Sequence, residues 1–148
     1  MKRLSILIAA GMCAVALAPA EARNTKYMLP IAAAMQAPET GQRLDGSVRF
    51  YFGSQPHPRV LARLGTDVSN RKTNSVGKSD IRGCNWAFLS AMLALENRAK
   101  QLGANAVVNI VSFYGRVPVS STTEFECHAG NIVIGVALKG DFVRLPGN

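Results

Sequence analysis

The sequence predicts an α+β fold, with one long helix packed on a small, mostly antiparallel sheet and pinned by one disulfide. Three observations carry this prediction. Residues 81–102 place Cys84, Phe88, Met92, Leu95, Ala99 and Leu102 on one stripe at steps of three and four, the period of a half-buried helix. Shorter runs on either side alternate apolar and polar residues, the period of a strand. Cys84 and Cys127 both fall on stripes that face the core.

The chain starts with Lys2-Arg3, followed by the apolar run 4-LSILIAAGMCAVALA-18, Pro19 and the small residues 20-AEA-22. This is the pattern of an export signal, with cleavage expected after Ala22. A membrane span needs about 20 apolar residues, and this run is shorter. Met12 before Cys13 is too large for a lipoprotein cleavage site. We therefore expect a periplasmic or secreted protein of about 126 residues, a size that suits one core. It divides into a signal peptide (1–22), an N-terminal arm (23–46) and a single α+β domain (47–148). The whole chain carries a formal charge of +8, which favours anionic partners. In an oxidising compartment two distant cysteines are most simply a disulfide. Redox pairs and metal thiolates usually come closely spaced, as in C-x-x-C.

The arm 23-RNTKYMLPIAAAMQAPETGQ-42 contains a short helix around 31–36, started by Pro30. In 47-SVRFYF-52, Val48, Phe50 and Phe52 alternate with Arg49 and Tyr51 as in a half-buried strand. A second strand, interrupted near Gly65, is expected over 59-RVLARLGTDV-68. The polar stretch 69-SNRKTNSVGKSD-80 has no apolar period and predicts an exposed loop. The helix follows, capped by Ser79 or Asp80 and ended by Gly103. Its second apolar patch, Trp86, Leu89 and Leu93, lies over about 100° round from the first stripe. One sheet cannot cover both faces, so the patch is a packing or oligomer face, for the arm with Tyr27 to Ile31 or for another subunit. Beyond the helix, 105-NAVVNIVSFY-114 is apolar on both faces, as in a central strand. In 121-STTEFEC-127, Thr123, Phe125 and Cys127 point inward and Thr122, Glu124 and Glu126 outward. The run 131-NIVIGVALKG-140 puts Ile132, Ile134, Val136 and Leu138 on one face. The whole sheet is expected to have three to five strands.

Gly77-Lys78-Ser79 matches the end of a phosphate-binding loop, G-x-x-x-x-G-K-[ST]. The first glycine of that motif should stand at position 72, which is Lys72, and the preceding residues 67–74 are polar rather than a buried strand. No acidic residue closing a buried strand is present to hold magnesium. An ATPase is not expected. His128 with Glu126 is a candidate metal pair, but a dedicated site needs three or four ligands, and a disulfide removes Cys127. His57, between prolines, reads as a surface residue. Ser120 and Ser121 lack a nucleophile elbow. No enzyme and no cofactor are expected. Arg71, Lys72, Lys78 and Arg82 are candidate anion contacts before a helix start. The loop has no aromatic residues to stack bases, so nucleic acid is not an expected partner.

The stretches 64-LGTDVSNRKTNSVGKSD-80, 84-CNWAFLSAMLAL-95 and 125-FECHAGNIVIGVALKG-140 resemble small exported proteobacterial proteins of unknown function. These often carry the name of the excinuclease ATPase component, whose ATP-binding and zinc-finger motifs are absent here. More remotely, 102-LGANAVVNIVSF-113 and 132-IVIGVAL-138 look like YbjQ-type and RcsF-type domains. That resemblance implies a strand–helix–strand–strand core. YbjQ-type domains form rings and have been called metal-binding; RcsF-type domains are disulfide-bearing envelope stress sensors. Together the residues and resemblances lead us to expect a non-catalytic periplasmic binding or assembly module, engaging an envelope protein or an anionic envelope surface. The alternative is a small-ligand or metal-binding homo-oligomer.

Overall fold

A computed structural model describes residues 21–37 and 43–147. Apart from Glu21 and Ala22, the expected signal peptide lies outside the described residues, and so does Cys13. The elements run β1 (Thr25–Pro30), α1 (Ile31–Met35), β2 (Arg49–Phe52), β3 (Ala62–Asn74), α2 (Asp80–Leu102), β4 (Ala106–Ser112), a 3-10 turn (Tyr114–Arg116), β5 (Glu124–Ala129) and β6 (Val133–Arg144). All six strands join one sheet, one more than the upper expectation. The fold is α+β, and the core order is strand–helix–strand–strand–strand rather than strand–helix–strand–strand. Four pairings are antiparallel, but β2 runs parallel to β4, so the sheet is mixed.

Strand β6 is the spine. One of its edges pairs with β3 from Asn74↔Val133 to Ala62↔Arg144. The other edge is shared: β5 pairs at Gly135 and Ile134, and β4 from Leu138 to Val143. β1 then extends β5, and β2 extends β4. The N-terminal arm is thus largely an edge strand of the sheet, followed by α1.

Helix α2 forms as its sequence dictates. The Ser79 hydroxyl accepts from the Arg82 N–H at 3.2 Å, and Gly103 ends the helix in the left-handed region at φ 72°. Cys84, Phe88, Met92, Leu95 and Ala99 are buried against Ile134, Val136, Leu138 and Phe142 of β6. The helix start approaches the sheet closely because Gly83 has no side chain; a Cβ there would lie 2.2 Å from Ile134 Cδ1. Phe88 stacks between Phe125, at 4.2 Å between ring centres, and Phe52, at 6.1 Å. The second patch is covered in part: Leu89 is buried with Ile31 and Ala34 of the arm, while Trp86 and Leu93 stay half-buried.

Cys84 on α2 is joined to Cys127 on β5. Ion pairs tie each end of the helix to the chain before it. Asp80 accepts from Arg23 and from the Tyr27 hydroxyl, the latter at 2.7 Å. Lys100 pairs with Asp45 and with the buried Glu96. Burial, then the hydrogen bond with Asp45, pushes the Glu96 carboxyl above its ordinary value.

Three strand expectations need correction. Residues 69–74 belong to β3 rather than to an exposed loop. Among the described residues β3 pairs with β6 alone, so its backbone is satisfied on one edge while its side chains meet a helix flank and solvent; no apolar alternation is required of it. Ile132 is 71% exposed because the chain turns there, and β6 begins one residue later. Thr123 is exposed, since β5 begins at Glu124.

Replacing both cysteines by serine frees a loop of about 44 residues and should lower stability by about 4 kcal/mol on the chain-entropy account; thermal unfolding with and without a reductant reads the loss. The Asp80 tie should respond to pH. Hydrogen bonds from Arg23 and then Tyr27 hold the Asp80 carboxyl below its usual range. A depressed carboxyl contributes stability above about pH 4, lost as pH falls through its folded value. The difference in urea midpoint between wild type and Asp80→Asn should therefore shrink between about pH 5 and pH 3.

Candidate functional site

Successive residues of a strand point to opposite faces of the sheet. Cys127 points to the helix and reaches Cys84, so Glu126 and His128 point to the other face. There the strand register lines up four residues across four strands: Lys26 of β1, His128 of β5, Gly135 of β6 and Lys72 of β3. The chain after β4 covers this row. Gly115 at φ 59° and Arg116 at φ 65° turn it sharply, and the turn lays Tyr114 over His128. The two rings are nearly parallel, 6° apart, with centres 3.6 Å apart. A Cβ at Gly135 would meet the Tyr114 ring at 3.7 Å and the Lys72 stem at 3.6 Å. Both lie at ordinary contact distance from that position.

The polar network beneath is nearly closed. His128 Nε2 lies 2.6 Å from Glu126 Oε1, and Nδ1 lies 2.9 Å from Asn24 Oδ1. The second Glu126 oxygen has Lys26 Nζ at 3.2 Å, close enough for an ion pair but not aligned as a hydrogen bond. The backbone N–H of Glu126 donates to Ser112 Oγ at 2.8 Å. A cleft of ≈ 410 Å³ opens beside Tyr114 and His128, bounded by Asn24, Lys72, Asn131 and Ile132.

Glu126 is therefore not solvated on an outward face; its side chain is only 6% exposed. His128 lies within β5, its side chain mostly covered. Alternation assigns Glu126 to the second face correctly, but cannot show that this face is covered. Tyr114 ends the apolar run 105–114 in the sequence and gives no sign there of a role at the site. The signal that marks it is Gly115 directly behind an aromatic pair, a place where a strand turns back on itself.

The metal pair is brought together, but each member spends its nearest donor atom on the other. Among the described residues, no group of three or more His, Cys, Asp or Glu sits together.

The anion-contact residues are dispersed. Arg71 faces the helix side and lines a second cleft of ≈ 510 Å³ between β3 and α2, above Leu95 and Phe142. An Asp67–Arg98 ion pair at 3.3 Å spans this cleft. Lys72 faces the Tyr114 side, and Arg82 is exposed on the first turn of α2. Lys78 Nζ donates to Asn74 O at 3.2 Å and lies 5.6 Å from the Trp86 ring centre. Each residue of Gly77-Lys78-Ser79 thus has a local place: Gly77 in a left-handed turn at φ 71°, Lys78 folded back on Asn74, and Ser79 as the helix cap. His57 packs edge-on to Tyr51, with ring centres 5.5 Å apart.

No family, curated protein or solved structure matches this chain.

The site predicts a specific pattern of stability. His128→Ala removes a hydrogen bond to a buried carboxylate and should lower stability by about 2 kcal/mol. Adding Glu126→Gln should recover part of that loss, because an amide leaves no buried charge behind. Denaturant titration of the two variants reads the sign.

Proposed function

We propose that this protein is an exported, non-catalytic binding or assembly module of an oxidising envelope compartment, concerned with envelope homeostasis. The observation that carries the reading is the core-buried Cys84–Cys127 bridge. Such bonds persist in oxidising compartments and are rare in the cytosol. The bridge fits the export signal read at residues 1–22, with cleavage after Ala22. A binding role is supported by the His128–Glu126 pair, whose ring nitrogens face Glu126 and Asn24 and whose flat face is stacked on Tyr114. Nothing in that arrangement aims a base at a nucleophile. The partner is an envelope protein or an anionic envelope surface.

A second reading is a small-ligand or metal-binding oligomer of YbjQ-like type. The cleft beside Tyr114 and His128 favours it, since an aromatic wall and a few polar groups are what small-ligand sites use. The half-buried Trp86 and Leu93 offer a surface for a second copy.

Native mass spectrometry of protein taken from the periplasmic fraction separates these readings. The first expects a metal-free monomer beginning at Arg23, gaining about two mass units on reduction as the one disulfide opens. A stable multimer, or a stoichiometric metal lost in His128→Ala, would install the second. A reduced, full-length chain confined to the cytosol would overturn both.

A further inference from the structure

The two most exposed large apolar residues, Val76 and Ile132, sit with basic residues at one end of the molecule, and Ile81 and Val133 lie beside them. Val76 is 76% exposed, Ile132 71%, Ile81 46% and Val133 43%. They sit on three neighbouring pieces of chain: the turn at 75–78, the turn at 130–133 and the first turn of α2. The Ser75 N–H donates to Ile132 O at 2.8 Å, and Ser75 Oγ donates to Asn131 O at 2.6 Å, so the two turns are tied side by side. Asn74 pairs with Val133 in the sheet. Ser79 and Asp80 carry the first turn of the helix out of the same loop. A side chain three-quarters exposed on a turn projects from the surface.

Positive charge surrounds these residues. Lys72, two residues before the end of β3, and Arg82, on the first helical turn, have no acidic partner among the described residues. Lys78 is held by neutral groups. Asp80 is already engaged by Arg23 and Tyr27, and Glu126 is buried beside His128. The chain also enters here. Ala22 and Arg23 border the same cleft as Ile132 and Val133, and the Arg23 carbonyl lies against Gly130.

We propose that this end, with Val76 and Ile132 as its apolar tips and Lys72, Lys78 and Arg82 as its charged rim, docks on an anionic lipid bilayer. Short apolar tips with a basic rim partition into the headgroup region through two additive terms, apolar burial and attraction to anionic lipid. A flat protein interface would instead bring the apolar residues into one continuous patch. The inference deepens the proposed function, resting on its reading of an anionic envelope surface as partner; Lys72 and Ile132 also border the Tyr114 cleft.

The test is co-sedimentation of the protein as purified from cells, its first residue fixed by mass, with vesicles. One set contains phosphatidylglycerol and the other is pure phosphatidylcholine. Binding to the anionic vesicles alone is expected. Lys72→Ala and Arg82→Ala should each weaken it about fivefold. Val76→Asp with Ile132→Asp should weaken it at least tenfold, while Arg63→Ala, at the far end of β3, should leave it unchanged. All substituted tip residues are exposed, so circular dichroism and an intact disulfide should match wild type. Equal binding to both vesicle sets, no binding, or tip variants that bind like wild type would each overturn the proposal. Retention on RNA or on another protein without vesicle binding would overturn it too.

Discussion

The structure depends on the requirement that β6 satisfy two edges and two faces at once. Its twelve residues pair along one edge with β3, and along the other with β5 and then β4. The pleat of the same strand sends Ile134, Val136, Leu138 and Phe142 to the helix, and Gly135 with Lys139 to the opposite side. Shifting the register by one residue would exchange these sets and put Lys139 under α2. The long helix, the buried bridge and the Tyr114 cleft are all placed by that one alternation. At Gly135 the strand carries the row that joins Lys26, His128 and Lys72 beneath the Tyr114 ring.

The sequence is most legible where one element has to obey one period. In α2 the stripe, the Ser79 cap and the Gly103 stop agree, and the helix begins within a residue of where they put it. The Cys84–Cys127 link is legible because two independent periods send both residues inward. Legibility fails where burial depends on distant parts of the chain. Nothing local to Ser69–Asn74 shows that an edge of β6 awaits it, because its side chains never need to alternate. Nothing local to Glu126 and His128 shows that Tyr114 returns over them. The fold class can be read from periodicity; the site cannot, because it is assembled by register across β1, β5, β6 and β3. The sequence offers His128 and Glu126 as a metal pair, and their proximity is real. Its physical content is a hydrogen bond between them.

Charge behaves similarly. Arg71 and Lys72 are adjacent in sequence and look like one basic cluster, yet a strand sends them to opposite faces. Arg71 joins the cleft beside α2, and Lys72 joins the row with His128. A composition reading gives the sign of the surface field, and only the pleat distributes it. The same holds for Gly77-Lys78-Ser79, three neighbours that the fold uses as a turn, a lysine folded onto Asn74 and a helix cap.

Strand β3 has a further consequence. It is thirteen residues long and, among the described residues, hydrogen-bonds to β6 alone, which leaves its other edge unpaired. An exposed edge of that length is a template onto which a second chain could zip, the first step toward fibrils. The residues there are those that resist such growth: Arg63, Asp67, Arg71 and Lys72 interleaved with asparagine and threonine, and a bulge between Arg63 and Gly65 that interrupts the regular ladder. The polarity that hides this strand from sequence reading is what guards its open edge.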